Sequence, residues 1–250
     1  MKAIISDIHG NLAALIAVLQ DIDKLGITDI VCLGDIVGYG PEPAECLDLV
    51  KSRTDLVILG NHEEAVLFGA TNFTPRARKA IDWTRHQLLE AENVPEELRK
   101  ERKAYLESFK IQTRIEGVTY VHGSPRQPTR EYVMPRDVYD RRKMKDLFDH
   151  IEDYCFCGHT HQPGVFTLNN FTPPSEMFDI YMFGSDEKAL LNVGSVGQPR
   201  DGDPRACYIT FDADTVVWRR VDYDVEKTVE KIFKIPYLER SLGERLREGK

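Results

Sequence analysis

Long apolar runs are missing from this chain of 250 residues. No stretch approaches the roughly 18 consecutive apolar residues that a membrane-spanning helix needs, so no membrane association is expected. The opening stretch places Asp7 where the apolar core of a secretory signal would continue, so no signal peptide is expected and a cytoplasmic location follows. Positive charge is in short supply: 33 Lys and Arg face 41 Asp and Glu, a formal net charge of -8. Nucleic-acid binding relies on basic surface, and this balance argues against it. Cysteines number five (Cys32, Cys46, Cys155, Cys157 and Cys207), an odd count whose spacing fits neither a zinc ribbon nor a disulfide framework. They read as small buried hydrophobes in a reducing compartment. Linkers, internal repeats and low-complexity segments are absent too, and the chain is expected to form one domain over residues 1–250.

What is present begins with an alternation of strand and helix. Ala3-Ile4-Ile5, Ile30-Val31-Cys32-Leu33 and Leu56-Val57-Ile58-Leu59 are continuous apolar runs, the pattern of parallel strands covered on both faces. Between them, Asn11 to Lys24 carries Leu12, Leu15, Ile16, Leu19 and Ile22 at helical spacing, with Asn11 as N-cap and Gly26 as terminator. Pro41 to Ser52 reads as the next helix. Residues 74–109 are charged and helical in pattern, Arg76 to Ala91 and Glu96 to Phe109, and read as a helical insertion or cap beside the site. Strands resume at Gln112–Ile115, Val118–Val121, Asp153–Cys157, Val165–Leu168, Ile180–Phe183, Ala189–Val193, Ala206–Phe211 and Val216–Val221, before terminal helices at Asp224–Phe233 and Leu238–Arg247. A βαβ start followed by many short strands predicts two sheets packed face to face with helices outside.

Short blocks of metal-ligating residues punctuate this framework: Asp7-Ile8-His9, Gly34-Asp35, Gly60-Asn61-His62-Glu63, His122-Gly123 and Gly158-His159-Thr160-His161. Nearly all follow an apolar run. Asp7, Asp35 and Asn61 recur 28 and 26 residues apart, and loops after parallel strands emerge on one edge of a sheet. Imidazole, carboxylate and amide oxygen without thiolate suit Mn, Fe, Zn or Co in a catalytic centre, and not a structural zinc knot. Two such ions about 3.5–4 Å apart activate water and clamp phosphoryl oxygens. The positive charge of the ions also explains how an acidic protein could hold a phosphate.

The ordered set D-x-H, GD, GNH(E/D), H and GHxH resembles the calcineurin-like metallophosphoesterase superfamily, and Asn192-Val193-Gly194-Ser195-Val196-Gly197-Gln198-Pro199-Arg200 resembles the loop that follows the GHxH strand there. The resemblance implies a four-layer α/β/β/α sandwich of two mixed sheets. It implies two divalent transition-metal ions (Mn, Fe or Zn), with Asp7, His9 and His161 on one, Asn61, His122 and His159 on the other, and Asp35 bridging. Asp35 and His62 are the catalytic candidates, His62 as transition-state stabiliser or proton donor that does not bind metal. The implied reaction is hydrolysis of a small phosphodiester or phosphomonoester by attack of a metal-activated hydroxide.

Serine/threonine protein phosphatases of the superfamily read GDxVDRG and LRGNHE. Here Gly38 and Tyr39 replace the acid and the arginine of the first motif, and Leu59-Gly60-Asn61-His62-Glu63 lacks the arginine of the second. Those departures point away from protein phosphatases and toward the branch of small phosphodiesterases and diadenosine tetraphosphatases. They also remove the acid that would orient His62, and the sequence leaves open whether Glu63 takes its place. Arg200, Arg205 and Tyr39 are the candidate substrate-binding residues, the arginines as planar forks for phosphate. Ser124 and Arg126 are weaker candidates, and His86 and His150 read as surface residues. The rival expectation is a non-catalytic scaffold on the same fold, which the complete ligand set disfavours.

Overall fold

The computed structural model describes residues 1–54, 56–184 and 187–250. The third expected strand begins beside Asp55, which lies outside the described residues. Twelve strands fall in two six-stranded sheets among those residues. The first sheet contains β1 (Lys2–Ile5), β2 (Ile30–Cys32), β3 (Leu56–Val57), β9 (Ile180–Met182), β11 (Ala206–Asp212) and β12 (Thr215–Val221), in the order β3-β2-β1-β11-β12-β9. The second contains β4 (Gln112–Ile115), β5 (Val118–Val121), β6 (Tyr154–Cys157), β7 (Gly164–Phe166), β8 (Phe171–Thr172) and β10 (Ala189–Asn192), in the order β4-β5-β6-β10-β7-β8. Both are mixed. β1, β2 and β3 run parallel, joined by helices α1 (Leu12–Lys24) and α2 (Pro43–Arg53), whereas β11 pairs antiparallel with β1.

Strand alternation builds the four layers. Ala3 and Ile5 face α1 and α2, packing with Leu15, Leu19 and Leu47, while Ile4 between them faces the other sheet and meets Phe156, Leu191, Ile209 and Trp218. In the second sheet Phe156 points to that inter-sheet layer, and Cys155 and Cys157 point out to Met144, Leu147 and Phe148 of α6 (Arg141–Asp149). Each fully buried large apolar side chain contributes on the order of 1.5–3 kcal/mol, so this two-faced burial fixes the register strongly. All five cysteines are buried and free.

The first differences from the sequence reading lie at Asn61. A helix α3 (Asn61–Phe68) starts there, so Asn61, His62 and Glu63 occupy a first helical turn and not a loop. The charged segment folds as α4 (Pro75–Arg85), a π-turn at His86–Glu90 and α5 (Glu96–Glu107), and it buries Ile81, Leu88, Leu106 and Phe109 against the α1/α2 core. The last helices are α7 (Val225–Lys234) and a short α8 (Arg240–Glu244) followed by a 3-10 turn at Arg245–Arg247. The two-residue strand β8 carries too little pattern to be seen in sequence.

Candidate metal centre

The loops after β1, β2, β5 and β6, with the start of α3, meet at one edge of the two sheets. Their backbones are forced. Asp7, His9, Asp35, Tyr39, His159 and His161 all have positive φ, between 50° and 65°. An L-residue in that region costs about 1–2 kcal/mol, and such strain survives only where neighbours over-determine it. Here the loops are laced together: Asp7 N–H donates to Gly34 O at 3.0 Å, His9 N–H to Asp35 O at 2.9 Å and Gly197 N–H to Asp7 O at 2.9 Å.

Asp7, His9, His122, His159, His161 and Asp35 are all buried. Ligating atoms of Asp7, His9 and His161 lie within 4.8 Å of one another, as do those of Asp35, His122 and His159 and, between these two sets, those of His9, Asp35 and His62. Asn61 joins the second group, its Oδ1 3.0 Å from His122 Nε2. Asp35 joins the two: its Oδ2 lies 3.7 Å from His9 Nε2 and 3.3 Å from His122 Nε2, while its Oδ1 accepts the His62 backbone N–H at 2.9 Å.

The far nitrogen of each ring fixes its tautomer. His9 Nδ1 donates to Val37 O, His122 Nδ1 to Leu33 O, His161 Nδ1 to Gln198 O and His159 Nε2 to Arg130 O. A carbonyl only accepts, so the proton sits on that nitrogen and the other presents its lone pair inward. Metal-ligating histidines are held in this way. The inward nitrogens then face each other at 3.1 Å, His9 against His161 and His122 against His159. Lone pairs so opposed need a cation between them. Imidazole nitrogens about 2.1 Å from one ion and roughly at right angles lie about 3 Å apart, so the residues fit divalent metal.

The electrostatics agree. Against the effect of burial, His161 and His122 hold the Asp7 carboxyl well below its usual range, and His122, His62 and His9 do the same for Asp35. His122 is lifted to about 9 although burial opposes it, chiefly by the Asp35 charge. His159 is pushed down to about 3 by burial and by His122. Among the five site histidines only His122 is driven toward its charged form, while burial first pushes His9, His62, His159 and His161 toward the neutral form that can bind metal.

His62 differs from the other four. Its Nδ1 is buried without a partner, and its Nε2 stands 4.0 Å from Asp35 Oδ2. Its ring packs edge-on against Tyr39 at 4.5 Å and Phe73 at 5.4 Å. Glu63 does not orient it. The Glu63 carboxylate instead accepts backbone N–H groups of Asp35 (2.8 Å), Gly60 (3.1 Å) and Val37 (3.1 Å), tying the GD loop to the start of α3.

Sequence profiles and structures of known proteins place this geometry. The profile of the calcineurin-like phosphoesterase superfamily domain matches residues 1–216. The chain belongs to that superfamily. It is 40% identical over 259 aligned residues to an uncharacterized protein of Methanocaldococcus jannaschii, covering 100% of this chain and 98% of that one. Its fold is similar to the crystal structure of a metallophosphoesterase from Sphaerobacter thermophilus, with TM-score 0.82 and 38% identity over 100% of this chain and 98% of that one. A third similarity is partial: 35% identity over 103 residues to a symmetrical bis(5'-nucleosyl)-tetraphosphatase of Salmonella arizonae, 34% of this chain and 36% of that protein.

Gly38 stands where protein phosphatases of the superfamily were described as carrying an acid, and the structure shows what that allows. A Cβ there would lie 2.0 Å from His62 Nδ1, and the backbone has φ +85°. The His62 ring therefore occupies the space a side chain would fill. Gly158 is equally constrained, since a Cβ would meet Asp7 Oδ2 at 2.4 Å.

Of the candidate substrate-binding residues, Tyr39 lies beside the cluster, its ring 4.9 Å from that of His9. Arg200 is close enough for its charge to act on His62, His161 and Tyr39. Arg205 pairs with a neighbouring acid instead of facing the His/Asp cluster. Its guanidinium is clamped by Asp203, with contacts of 2.6–3.1 Å, and it lines a separate cavity with Asp179 and Arg220. Ser124 and Arg126 are likewise taken up by Glu131. His86 and His150 are exposed, as expected.

Sequence reasoning missed two kinds of residue. Asn192 and Ser195 brace the site: Asn192 Nδ2 donates to Gly158 O at 2.6 Å and Ser195 Oγ to Asp7 O at 2.8 Å. Phe73, Arg130 and Tyr132, with Tyr39, Asn61 and His159, line a cavity of about 300 Å³ beside the metal centre. Tyr132 stacks on His159 with ring centroids 3.9 Å apart. Phe73, Arg130 and Tyr132 sit in loops without periodicity, so nothing local marks them, whereas Asn192 and Ser195 lie in the block quoted above without a role of their own.

Proposed function

We propose that the protein is a binuclear-metal-dependent phosphoesterase acting on small phosphodiesters or phosphomonoesters in the cytoplasm. The observation that carries this reading is the pair of histidine groups meeting at one oxygen of Asp35, with their ring lone pairs turned inward. Asp7, His9 and His161 would hold one ion, Asn61, His122 and His159 the other, and Asp35 both. When bound there, divalent transition metals such as Mn, Fe or Zn increase the acidity of water and neutralise phosphoryl charge.

The chain's own groups do the rest. Buried loops keep the ligands fixed, so little reorganisation is needed during the reaction. His62 alone among the five histidines has no carbonyl on its second nitrogen, which frees it to donate N–H to the substrate or its leaving oxygen. Tyr39 and Arg200 flank it and orient the substrate. The five free cysteines suit a reducing compartment. Phosphoproteins are expected to be poor substrates because Gly38, Tyr39 and Leu59 stand at the positions described above.

The test is His62→Ala. Manganese content, measured by mass spectrometry, should be unchanged. Turnover should fall roughly 10²–10⁴-fold for alkyl phosphate esters, the usual worth of a positioned acid, and less for nitrophenyl esters, whose leaving group needs no proton. Loss of metal, or equal loss for both esters, would make His62 a ligand or a structural residue instead.

A further inference from the structure

We infer a second small-molecule site on the outer face of α4, one that takes a planar aromatic anion and acts on His62 through Phe73. Its effect on turnover rests on the phosphoesterase reading above, and the site itself does not.

The helical period builds it. Arg78, Lys79, Asp82, Trp83 and His86 recur at three- and four-residue spacing, so they share one face of α4 and of the π-turn that prolongs it. The opposite face buries Ala77, Ala80, Ile81 and Thr84. The outer face does not lie flat against solvent. It walls a cavity of about 740 Å³ together with Phe73, just ahead of the helix, and Tyr237, between α7 and α8. The cavity beside the metal centre is smaller, about 300 Å³. Pockets of roughly 300–1,000 Å³ with aromatic walls and few polar groups are the usual sites of small ligands. A π-turn is rare and recurs at functional sites.

The lining selects the ligand. Phe73, Trp83 and Tyr237 offer ring faces and edges to a planar aromatic body. Trp83 packs against the cluster of Leu238 and Leu242, which fixes it, while Tyr237 stays 58% exposed and has apolar surface left to cover. Arg78 and Lys79 stand against the one acid of the lining, Asp82. One positive charge is therefore in excess, on a chain whose net charge is -8. Lys79 Nζ donates to the Pro236 carbonyl at 3.2 Å, which holds the ammonium at the segment that carries Tyr237. An ammonium has further donors to give. A single carboxylate or sulfonate on an aromatic body answers this charge, whereas a polyanion would meet the repulsion of Asp82.

Phe73 links the cavity to the chemistry. It lines both this cavity and the smaller one beside the metal centre. Its ring meets that of His62 edge-on, with centroids 5.4 Å apart and planes at 86°. His62 Nδ1 has no hydrogen bond, so packing against Tyr39 and Phe73 holds the ring in place. A ligand that restrains Phe73 from the α4 side restrains His62, and turnover of esters that need its proton rises.

The test uses the full-length, manganese-loaded protein and 8-anilinonaphthalene-1-sulfonate, an aromatic anion whose fluorescence reports binding. One dye per chain should bind even with saturating inorganic phosphate, which fills the metal centre. Tyr237→Ala and Arg78→Gln, both at exposed positions, should each weaken binding about two- to tenfold and leave turnover without dye unchanged. A melting curve verifies that both variants are folded. With an alkyl phosphate ester the dye should raise kcat about two- to fivefold at constant KM, a small part of the worth of a positioned acid. Binding that is equal in all three proteins, or that phosphate displaces, overturns the site. A dimer that the dye takes apart in sedimentation assigns the face to a second copy and overturns it as well. A raised KM puts the cavity in the path of the substrate, and an unchanged kcat breaks the link through Phe73; either result removes the action on His62. Variant-sensitive binding in a protein that hydrolyses no phosphate ester keeps the site and removes the phosphoesterase reading. Ester hydrolysis with variant-insensitive binding does the reverse.

Discussion

The two ends of the same strands are built by opposite rules. At one end, the turns are short, exposed hairpins. Glu116 and Gly117 join β4 to β5 with positive φ at both positions, the geometry of a tight hairpin, and Ala213 turns β11 into β12 in full exposure. At the other end, six acidic, histidine or tyrosine residues adopt left-handed backbone, and the acids and histidines among them are buried. The first end needs only to reverse the chain. The second must aim carboxylates and imidazoles at shared points, and it accepts strain and buried charge to do so. Six of the eleven non-glycine residues with positive φ among the described residues lie at this edge, and what sets them apart from Glu116 and Ala213 is that the acids and histidines among them are buried.

The largest expected effect comes from removing the charge that joins the two histidine groups. Asp35→Asn keeps the shape but not the anion. Turnover should fall at least ~100-fold and metal content should drop with it, both measurable on one sample. Full activity with unchanged metal would dissolve the contrast between the two ends.

Gly38→Ala probes strain and packing together. The new methyl meets His62 Nδ1, and φ +85° is unfavourable to it. Overpacking and left-handed strain together should cost about 3 kcal/mol in urea unfolding. Turnover should fall roughly tenfold as the His62 ring is displaced, the milder counterpart of losing a positioned acid. A neutral result would mean that the ring has slack the structure does not suggest.

How much of this was legible in sequence follows from the same comparison. The strands were readable because parallel and inter-sheet strands are continuous apolar runs. The clustering of the Asp and His residues was readable because loops after such runs share an edge. Asn61 was read as a loop residue because the helix that starts there opens with the polar Asn-His-Glu-Glu, not with an apolar stripe. For Arg205 the sequence left two readings, a fork for phosphate or a loop pair with Asp201 and Asp203, and the structure shows the pair with Asp203. Tyr132 and Phe73 were invisible, since only tertiary packing carries them to the cavity. Glu63 was visible as a residue and not as a brace, because its three backbone partners are contributed by two separate loops.

The smallest effect belongs to the ordinary end. Glu116 holds φ 49° in an exposed turn, where Asn is better tolerated. Glu116→Asn should stabilise by about 0.5 kcal/mol, a rise in melting temperature of roughly 1–2 °C, and leave turnover unchanged. A large change in activity would show that the two ends are coupled through β5, which runs from this turn to His122.

The most direct test of the central claim is a titration of the chelator-stripped protein with Mn²⁺, following hydrolysis of bis(p-nitrophenyl) phosphate beside bound metal per chain. Activity should be absent without metal and should level off at two ions per chain, one for each histidine group that meets at Asp35. Hydrolysis that persists in the stripped protein, or that saturates fully at a single ion, would contradict the account.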